Sequence, residues 1–142
     1  MRVVELTAEQ THALRRAVLR AADPEAIVVF ECDHDPATFH LGFLEDGVPI
    51  AISTWIPAPP SAQLRGMAVE PNHQGAGLAT RLLQEAYERL RALGVELLWA
   101  HARDTALSFY TGAGFTVVGD GFVTPDTGLP HHLVTLSLDL EK

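Results

Sequence analysis

The sequence predicts an α/β (α+β) fold in which about seven strands are interspersed with three helices, as one domain over residues 1–142. Three observations support this fold class. A chain of 142 residues has the usual size of one domain and can bury roughly two-thirds of the surface of its unfolded form. Hydrophobic residues make up 47% and charged residues 20%, as in globular proteins. Segments with strand-like alternation and segments with helical periodicity follow one another in the order β-α-β-β-β-α-β-α-β-β.

A capping box predicts where the first helix begins. In Thr7-Ala8-Glu9-Gln10, a hydroxyl and an amide side chain stand three residues apart, where they can satisfy free N–H groups of a first helical turn. This helix follows a short strand, about Arg2 to Leu6, and runs to about Ala21. We expect Asp23-Pro24 to end it.

Three strands are expected next, at about 38–44, 48–55 and 63–69. Asp46-Gly47 is a common hairpin turn pair and predicts that the first two are antiparallel. The prolines between Pro57 and Pro60 are expected to break the chain before the third strand.

A long amphipathic helix is predicted from about Gly77 to Leu93, with Gly94 as its C-terminal stop. The rest of the chain is predicted to form a strand over 95–100, a short helix over 105–112, and strands over 115–118 and 132–138. The helix has one apolar stripe, formed by Leu78, Leu82, Leu83, Ala86, Tyr87 and Leu90.

Charge and composition limit the partners and the location. The net charge of −8 disfavours binding to nucleic acid and to anionic membranes, and mildly favours a cationic small molecule. No apolar run approaches the roughly 18 residues of a membrane span, and Met1 to Glu5 lacks the features of a secretory signal. The single cysteine, Cys32, suits a reducing compartment. We therefore expect a cytoplasmic protein, for which a homodimer is one option.

A glycine-rich loop, Gln74 to Thr80, leads from a strand into the long helix. Gly75 and Gly77 allow the backbone to approach a ligand, and unpaired N–H groups at a helix start attract anions such as a diphosphate. The other interpretation is a tight turn without a ligand. A nucleotide P-loop is excluded because no lysine precedes Lys142. A dinucleotide-binding loop is disfavoured because Thr80 stands where a third glycine is required.

Two motifs resemble those of the GNAT superfamily of N-acetyltransferases. Gln74-Gly75-Ala76-Gly77-Leu78-Ala79 matches the family's Gln/Arg-x-x-Gly-x-Gly/Ala motif and follows Leu64 to Val69, which is similar to the family's fourth strand. Ala106 to Phe115, about 30 residues later, resembles the second motif, a short helix that ends in Tyr and is followed by Gly-Phe. The resemblance covers essentially the whole chain and is strongest from Leu64 to Val118.

This resemblance implies a mixed, mostly antiparallel sheet flanked by helices, in which two parallel central strands splay apart. It also implies that acetyl-coenzyme A is the co-substrate and that a primary amine of a small molecule or peptide receives the acetyl group. Gly66 is expected to mark a bulge or a close approach of the ligand. The cofactor-binding residues would be Met67, Ala68 and Val69 for the pantetheine arm and Gln74, Gly75, Ala76, Gly77, Leu78, Ala79 and Thr80 for the diphosphate.

Tyr110 matches the family's usual general acid, which protonates the departing thiolate. Its alternative role is packing at the end of a short helix. Arg103 departs from the family, because many relatives carry Asn there. Arg103 would either reach a coenzyme A phosphate or lie on the surface.

The base that deprotonates the amine is not identified by the sequence. His101 lies after the fifth strand near the expected reaction centre, and His132 and Glu96 are further candidates, each with an ordinary structural alternative. The acidic run from Glu31 to Asp35 is interpreted as a solvated loop without a metal, because neighbouring side chains on an extended chain diverge. The segment from Gly119 to Pro130 is interpreted as a long loop that either covers the acceptor or forms a mobile hairpin. A coenzyme A sensor without turnover is the alternative function.

Overall fold

The structure, a computed structural model, describes residues 1–20, 27–125 and 127–138. Its sheet has seven strands in the spatial order β1-β2-β3-β4-β5-β7-β6. The strands are β1 (Val4–Leu6), β2 (Phe39–Glu45), β3 (Val48–Ala58), β4 (Ser61–Val69), β5 (Leu97–Arg103), β6 (Thr116–Val123) and β7 (Pro130–Ser137), and the α-helices are α1 (His12–Leu14), α2 (Leu78–Ala92) and α3 (Leu107–Gly112). Short 3₁₀ turns cover Glu9–Thr11, Pro71–His73 and Asp104–Ala106, and a π turn covers Arg15–Leu19.

The N-terminal helical segment, residues 9–19, combines the first 3₁₀ turn, α1 and the π turn. Its predicted capping box is confirmed. The amide of Thr7 donates to Oε1 of Gln10 at 2.8 Å, and the amide of Gln10 donates to Oγ1 of Thr7 at 3.2 Å. The first described range ends at Arg20, so the predicted helix end at Ala21 and Asp23-Pro24 lies outside the described residues.

β2 and β3 form the predicted antiparallel hairpin. Its turn residues Asp46 and Gly47 have positive φ angles of 52° and 80°, as a type I′ turn requires. The prolines were predicted to interrupt the strand structure from Pro57 to Pro60. This prediction is wrong for Pro57, because β3 continues through it. β2 pairs with β3 only as far as Trp55, so Pro57 lies where one neighbouring strand is missing and proline is tolerated.

Two strands in the second half extend further than the sequence indicates. β5 was expected to end at Ala100 but continues to Arg103, because β7 pairs with its whole length. β6 was expected to end at Val118 but resumes after an irregularity and pairs with β7 again from Phe122. The predicted long loop from residue 119 therefore begins inside a strand.

The two faces of the sheet are covered by different elements. α2 and α3 cover one face, and five of the six predicted stripe residues of α2 are buried there, with Tyr87 half-buried. The N-terminal helical segment covers the other face, where Leu14 packs with Leu6, Ile52 and Ala68. Within the described residues, we find no helix with the length and apolar character needed to span a membrane.

β4 and β5 are the parallel pair at the centre of the sheet. They are hydrogen-bonded only where Ser61 to Gln63 lies beside Leu97 to Trp99. Beyond this contact β4 stays with β3 and β5 stays with β7, so the two strands diverge. The predicted mixed sheet with two splayed parallel strands is confirmed, and the divergence opens a gap in the sheet.

Candidate active site

A cleft of about 480 Å³ occupies the gap between β4 and β5. Both strands line it, together with the N-terminal helical segment, Tyr110 of α3 and the chain that follows β6. The cleft thus connects the two faces of the sheet through the gap that the diverging strands leave.

β4 contains the predicted bulge. The register between β3 and β4 shifts so that Ser53 faces two residues of β4, Gly66 and Met67. Gly66 has a φ of 61°, and a β-carbon there would lie only 3.0 Å from the ring of Phe30. The conformation therefore favours glycine, and a β-carbon would also be tight against the Phe30 ring. Met67 lines the cleft directly after the bulge.

The glycine-rich loop presents unpaired backbone amides. Gly75 and Gly77 have φ angles of 83° and 79°, and a β-carbon at either position would meet nothing within 4 Å, so the conformation alone requires glycine. Gly77 is the N-cap of α2, and no side chain caps this helix. The first bond of the helix is donated by the amide of Arg81, so the amides of residues 75–80 have no protein acceptor among the described residues.

This arrangement fits a diphosphate. The unpaired N–H groups lie at the positive end of the dipole of a 15-residue helix. Both features attract an anion without a lysine or a broad basic surface. The loop can therefore attract an anion such as a diphosphate despite the protein's negative net charge.

Gln74 has a different position from the other loop residues. Its amide donates to the carbonyl of Pro71 at 3.4 Å, and its side-chain Nε2 donates to the carbonyl of Val69 at 3.1 Å. Gln74 therefore ties the loop to the end of β4. Its predicted contact with a phosphate, like the ligand contacts of Ala68 and Val69, stays a prediction.

Tyr110 lies in the cleft and is only 7% exposed. Its ring makes edge contacts with Phe109 and Phe115 at centroid distances of 5.3 and 5.1 Å. Burial raises the pKa of Tyr110 to about 12. The phenol is consequently protonated at neutral pH, as a proton donor must be.

His101 also lines the cleft, beside the rings of Trp99 and Phe122 at 5.2 and 5.0 Å. Partial burial, with the charges of His131 and Arg65, lowers the pKa of His101 below its usual value. A neutral imidazole at this position can accept a proton at neutral pH.

The other two candidates for the base lie elsewhere. The ring of His132 donates from Nδ1 to Oδ1 of Asp104 at 2.7 Å, and His132 does not line the cleft. Glu96 is exposed immediately before β5, at the end of that strand away from Arg103.

His131 is the cleft residue that sequence reasoning missed. It is 6% exposed, and its Nδ1 donates to the carbonyl of Leu129 at 2.8 Å, which leaves Nε2 as the acceptor in the neutral ring. The strand pairing places it opposite Arg103 on the cleft side of β7. Alternation along β7 could have shown that His131 and His132 face opposite sides, but not which of them faces the cleft.

Arg103 is half-buried in the wall of the cleft, and its Nη2 donates to the carbonyl of Leu19. It therefore links β5 to the N-terminal helical segment. A contact between Arg103 and a coenzyme A phosphate stays a prediction.

The acidic run from Glu31 to Asp35 is not entirely solvated, and the prediction is wrong for Asp33. Asp33 is 4% exposed and forms two hydrogen bonds of 2.8 Å with the guanidinium of Arg15. Burial would raise the pKa of Asp33, but the hydrogen bonds from Arg15 and from the amide of Phe30 outweigh burial and lower it. The partner lies 18 residues earlier in the chain, so local sequence does not reveal it. Across residues 1–20, 27–125 and 127–138, no group of metal-ligating side chains converges.

Comparison with known proteins identifies the same family as the two sequence motifs. The family described as "Acetyltransferase (GNAT) family" matches residues 4–115. The N-acetyltransferase YitI of Bacillus subtilis, itself uncharacterized, is 27% identical over 141 residues, which cover 94% of this chain and 93% of YitI.

Solved structures show the same fold. A Lactobacillus plantarum protein described as an N-acetyltransferase superposes with a TM-score of 0.82 at 21% identity, with 97% of this chain and 98% of that chain covered. An aminoglycoside 6′-N-acetyltransferase complexed with coenzyme A superposes with a TM-score of 0.77 at 12% identity, covering 100% and 99%. The family match, which extends over most of the chain, shows that this protein belongs to the GNAT acetyltransferases, a family of N-acetyltransferases that use acetyl-coenzyme A.

Proposed function

We propose that this protein transfers the acetyl group of acetyl-coenzyme A to a primary amine by direct attack, without a covalent enzyme intermediate. The observation that carries the proposal is the combination of two features, the row of unpaired amides over residues 75–80 at the start of α2 and the cleft between β4 and β5 that contains Tyr110. Acetyl-coenzyme A needs a site for its diphosphate and a channel for its pantetheine arm. The loop offers the first, and the gap between β4 and β5 offers the second.

The edge of β4 is suited to bind the pantetheine arm and the reacting carbonyl. After Gln63 this edge has no hydrogen-bonding neighbour in β5. Met67 lines the cleft directly after the bulge at Gly66, and we expect its main-chain groups to bond to the amides of the arm. An N–H group in the same position can stabilise the oxyanion that forms when the amine attacks.

Two side chains would move the protons. His101 accepts a proton from the acceptor ammonium, directly or through water, because its lowered pKa keeps the ring neutral at neutral pH. Tyr110 donates its phenolic proton to the sulfur as the carbon–sulfur bond breaks. A carbon–nitrogen bond forms, the carbon–sulfur bond breaks, and coenzyme A leaves as a thiol. The nitrogen loses a second proton as the amide forms, which restores the phenol of Tyr110 through solvent, and His101 releases its proton to solvent. His131 lines the same cleft and could share the role of base.

The experiment is a thiol-release assay with acetyl-coenzyme A and a chemically diverse panel of amines, combined with thermal shifts for acetyl-coenzyme A, NAD and ATP. We expect acetyl-coenzyme A to stabilise the protein by about 2.7 kcal/mol at 100 times its dissociation constant. We expect thiol release to depend on the amine. Binding without release for every amine would favour a sensor, and no stabilisation by acetyl-coenzyme A would contradict the proposal. The cytoplasmic location and the option of a homodimer stay predictions.

A further inference from the structure

Side-chain alternation places two cleft residues on the face of the sheet away from α2. Leu64 and Ala100 are packed in the core on the α2 side. Their neighbours in sequence, Arg65 and His101, therefore point to the opposite face. Arg65 is paired across the strands with Thr54, whose hydroxyl accepts a hydrogen bond from the N-terminal helical segment, which confirms this orientation.

The charge of the cleft is opposite to that of the whole protein. The chain has 18 acidic and 10 basic residues, yet the described residues that line the cleft include four arginines and two histidines and no aspartate or glutamate. Asp33 neutralises one of these arginines, Arg15. Arg20 and Arg103 also have interaction partners. The inference therefore depends on the fourth arginine, Arg65.

Arg65 is half-buried, and within the described part of the chain its guanidinium has no carboxylate partner. Its Cζ lies 4.1 Å from the centre of the Phe30 ring, a stacking contact that restricts the guanidinium plane. Its charge also acts on His101, the proposed base. A cation is thus fixed next to the reaction centre.

The coenzyme A diphosphate is not the natural partner of this cation. The loop of residues 74–80 begins α2 and lies on the α2 side of the sheet, whereas Arg65 faces the N-terminal helical segment. His101, the proposed base for the amine, points to the same face as Arg65, so we expect the amine on this other side of the cleft. A guanidinium held in one plane matches a carboxylate with two parallel hydrogen bonds.

We propose that the acceptor is an amine that also carries a carboxylate, that Arg65 binds this carboxylate, and that the body of the acceptor is apolar. The inference rests on the proposed acetyl transfer. The apolar part is expected because Met67 and Phe122 line the same cleft, with the ring of Phe122 5.0 Å from that of His101. Hydrophobic α-amino acids have this chemistry, and their acetylation forms an N-acetyl amino acid and the free thiol.

The test compares amines that differ only in the carboxylate, by thiol release at saturating acetyl-coenzyme A. The pairs are phenylalanine with phenethylamine and leucine with 3-methylbutylamine, and the phosphonate analogue of phenylalanine separates the two kinds of anion. We expect each amino acid to exceed its decarboxylated partner in kcat/KM by about 10- to 100-fold, the range for a hydrogen bond to a charged group. Substitution Arg65→Gln should remove this preference, so that kcat/KM for the two members of each pair differs by less than about 3-fold, whatever change the variant causes in both.

Matched variants and a binding measurement complete the test. Arg2→Gln removes a charge from an exposed position and should preserve the preference for the amino acid. Arg65→Lys keeps the charge but cannot form two parallel hydrogen bonds, so this variant should retain only part of the preference. Calorimetric binding of N-acetylphenylalanine to the coenzyme A-loaded protein should weaken with Arg65→Gln, in a variant shown to be folded by circular dichroism.

The outcomes separate the two proposals. A wild-type preference for the decarboxylated amines, or an equal loss for both members of a pair with Arg65→Gln, would overturn the carboxylate site and leave acetyl transfer intact. A preference for the phosphonate would overturn the choice of carboxylate. No thiol release with any amine would overturn the proposed function and this inference with it.

Discussion

Replacement of Gly77 by glutamate tests the diphosphate site most directly. Gly77 is the N-cap of α2, and a side chain built there enters open space, so the variant has room for its new carboxylate. The carboxylate would lie beside the amides of residues 75–80, where the phosphates are expected. The new side chain therefore repels the ligand without a clash in the protein.

The size of the effect follows from charge and backbone conformation. Two unit charges 4 Å apart interact by about 1 kcal/mol in water and about 4 kcal/mol near a protein surface. An intermediate value of roughly 2 kcal/mol for each of two phosphate charges gives roughly 4 kcal/mol, which is about a 1000-fold weaker Kd. The φ of 79° at Gly77 adds a folding cost of about 1–2 kcal/mol for a residue with a β-carbon.

Gly94 provides a matched control at the other end of the same helix. Its φ is 87°, and a β-carbon there also meets nothing within 4 Å. Gly94→Glu should therefore lower Tm by a similar amount as Gly77→Glu, on the order of several degrees, and leave acetyl-coenzyme A affinity unchanged. Calorimetric titration measures both affinities. Equal Kd values for wild type and Gly77→Glu would refute the assignment of the loop, and equal losses in the two variants would attribute the effect to general destabilisation.

Three further predictions concern buried groups. Tyr110→Phe should lower kcat by about 100-fold with little change in the Kd of acetyl-coenzyme A. As a control, Tyr87→Phe removes a buried hydroxyl that has no described partner and should leave kcat unchanged. A stopped-flow rate for Tyr110→Phe equal to that of wild type would remove Tyr110 from the mechanism. Asp33→Asn should cost about 3–5 kcal/mol in urea unfolding, because Arg15 then lacks its counter-ion inside the protein. Burial lowers the pKa of His40 in the folded state. As the pH falls, His40 is therefore protonated in the unfolded chain at a higher pH than in the folded protein, and the free energy of unfolding should decrease below pH 6.5. A His40→Gln variant with the same pH dependence as wild type would contradict that last expectation.

Local chemistry allowed much of the fold to be predicted from the sequence. The capping box at Thr7, the turn at Asp46-Gly47 and the stripe of α2 each depend on residues within a few positions of one another. The glycine loop was predictable for the same reason, since its positive φ angles and its place before a helix are local properties. Tyr110 was predicted from the resemblance to the second family motif and His101 from its place near the reaction centre that this resemblance implies, and the structure places both in the cleft.

Long-range pairing accounts for what the sequence did not reveal. The ends of β5 and β6 are set by β7, a strand that lies later in the chain. Asp33 is buried because Arg15 reaches it from another element, and no local pattern shows that contact. His131 and Arg65 became candidates only when alternation could be combined with knowledge of which face each element covers.

The division of the sheet into two faces explains how an acidic protein can bind anions on both sides of one cleft. A net charge of −8 would repel an anionic acyl donor and an anionic acceptor at long range. Backbone amides at the start of α2 are fixed dipoles that add no net charge, so they can hold a diphosphate on one face. On the other face a single guanidinium, stacked on Phe30 and without an ion pair to a described carboxylate, is proposed to bind one carboxylate. Because salt screens the long-range repulsion more than these short contacts, both substrates should bind at least as well at 0.15 M salt as at low salt, the opposite of a protein that attracts anions through a broad basic surface.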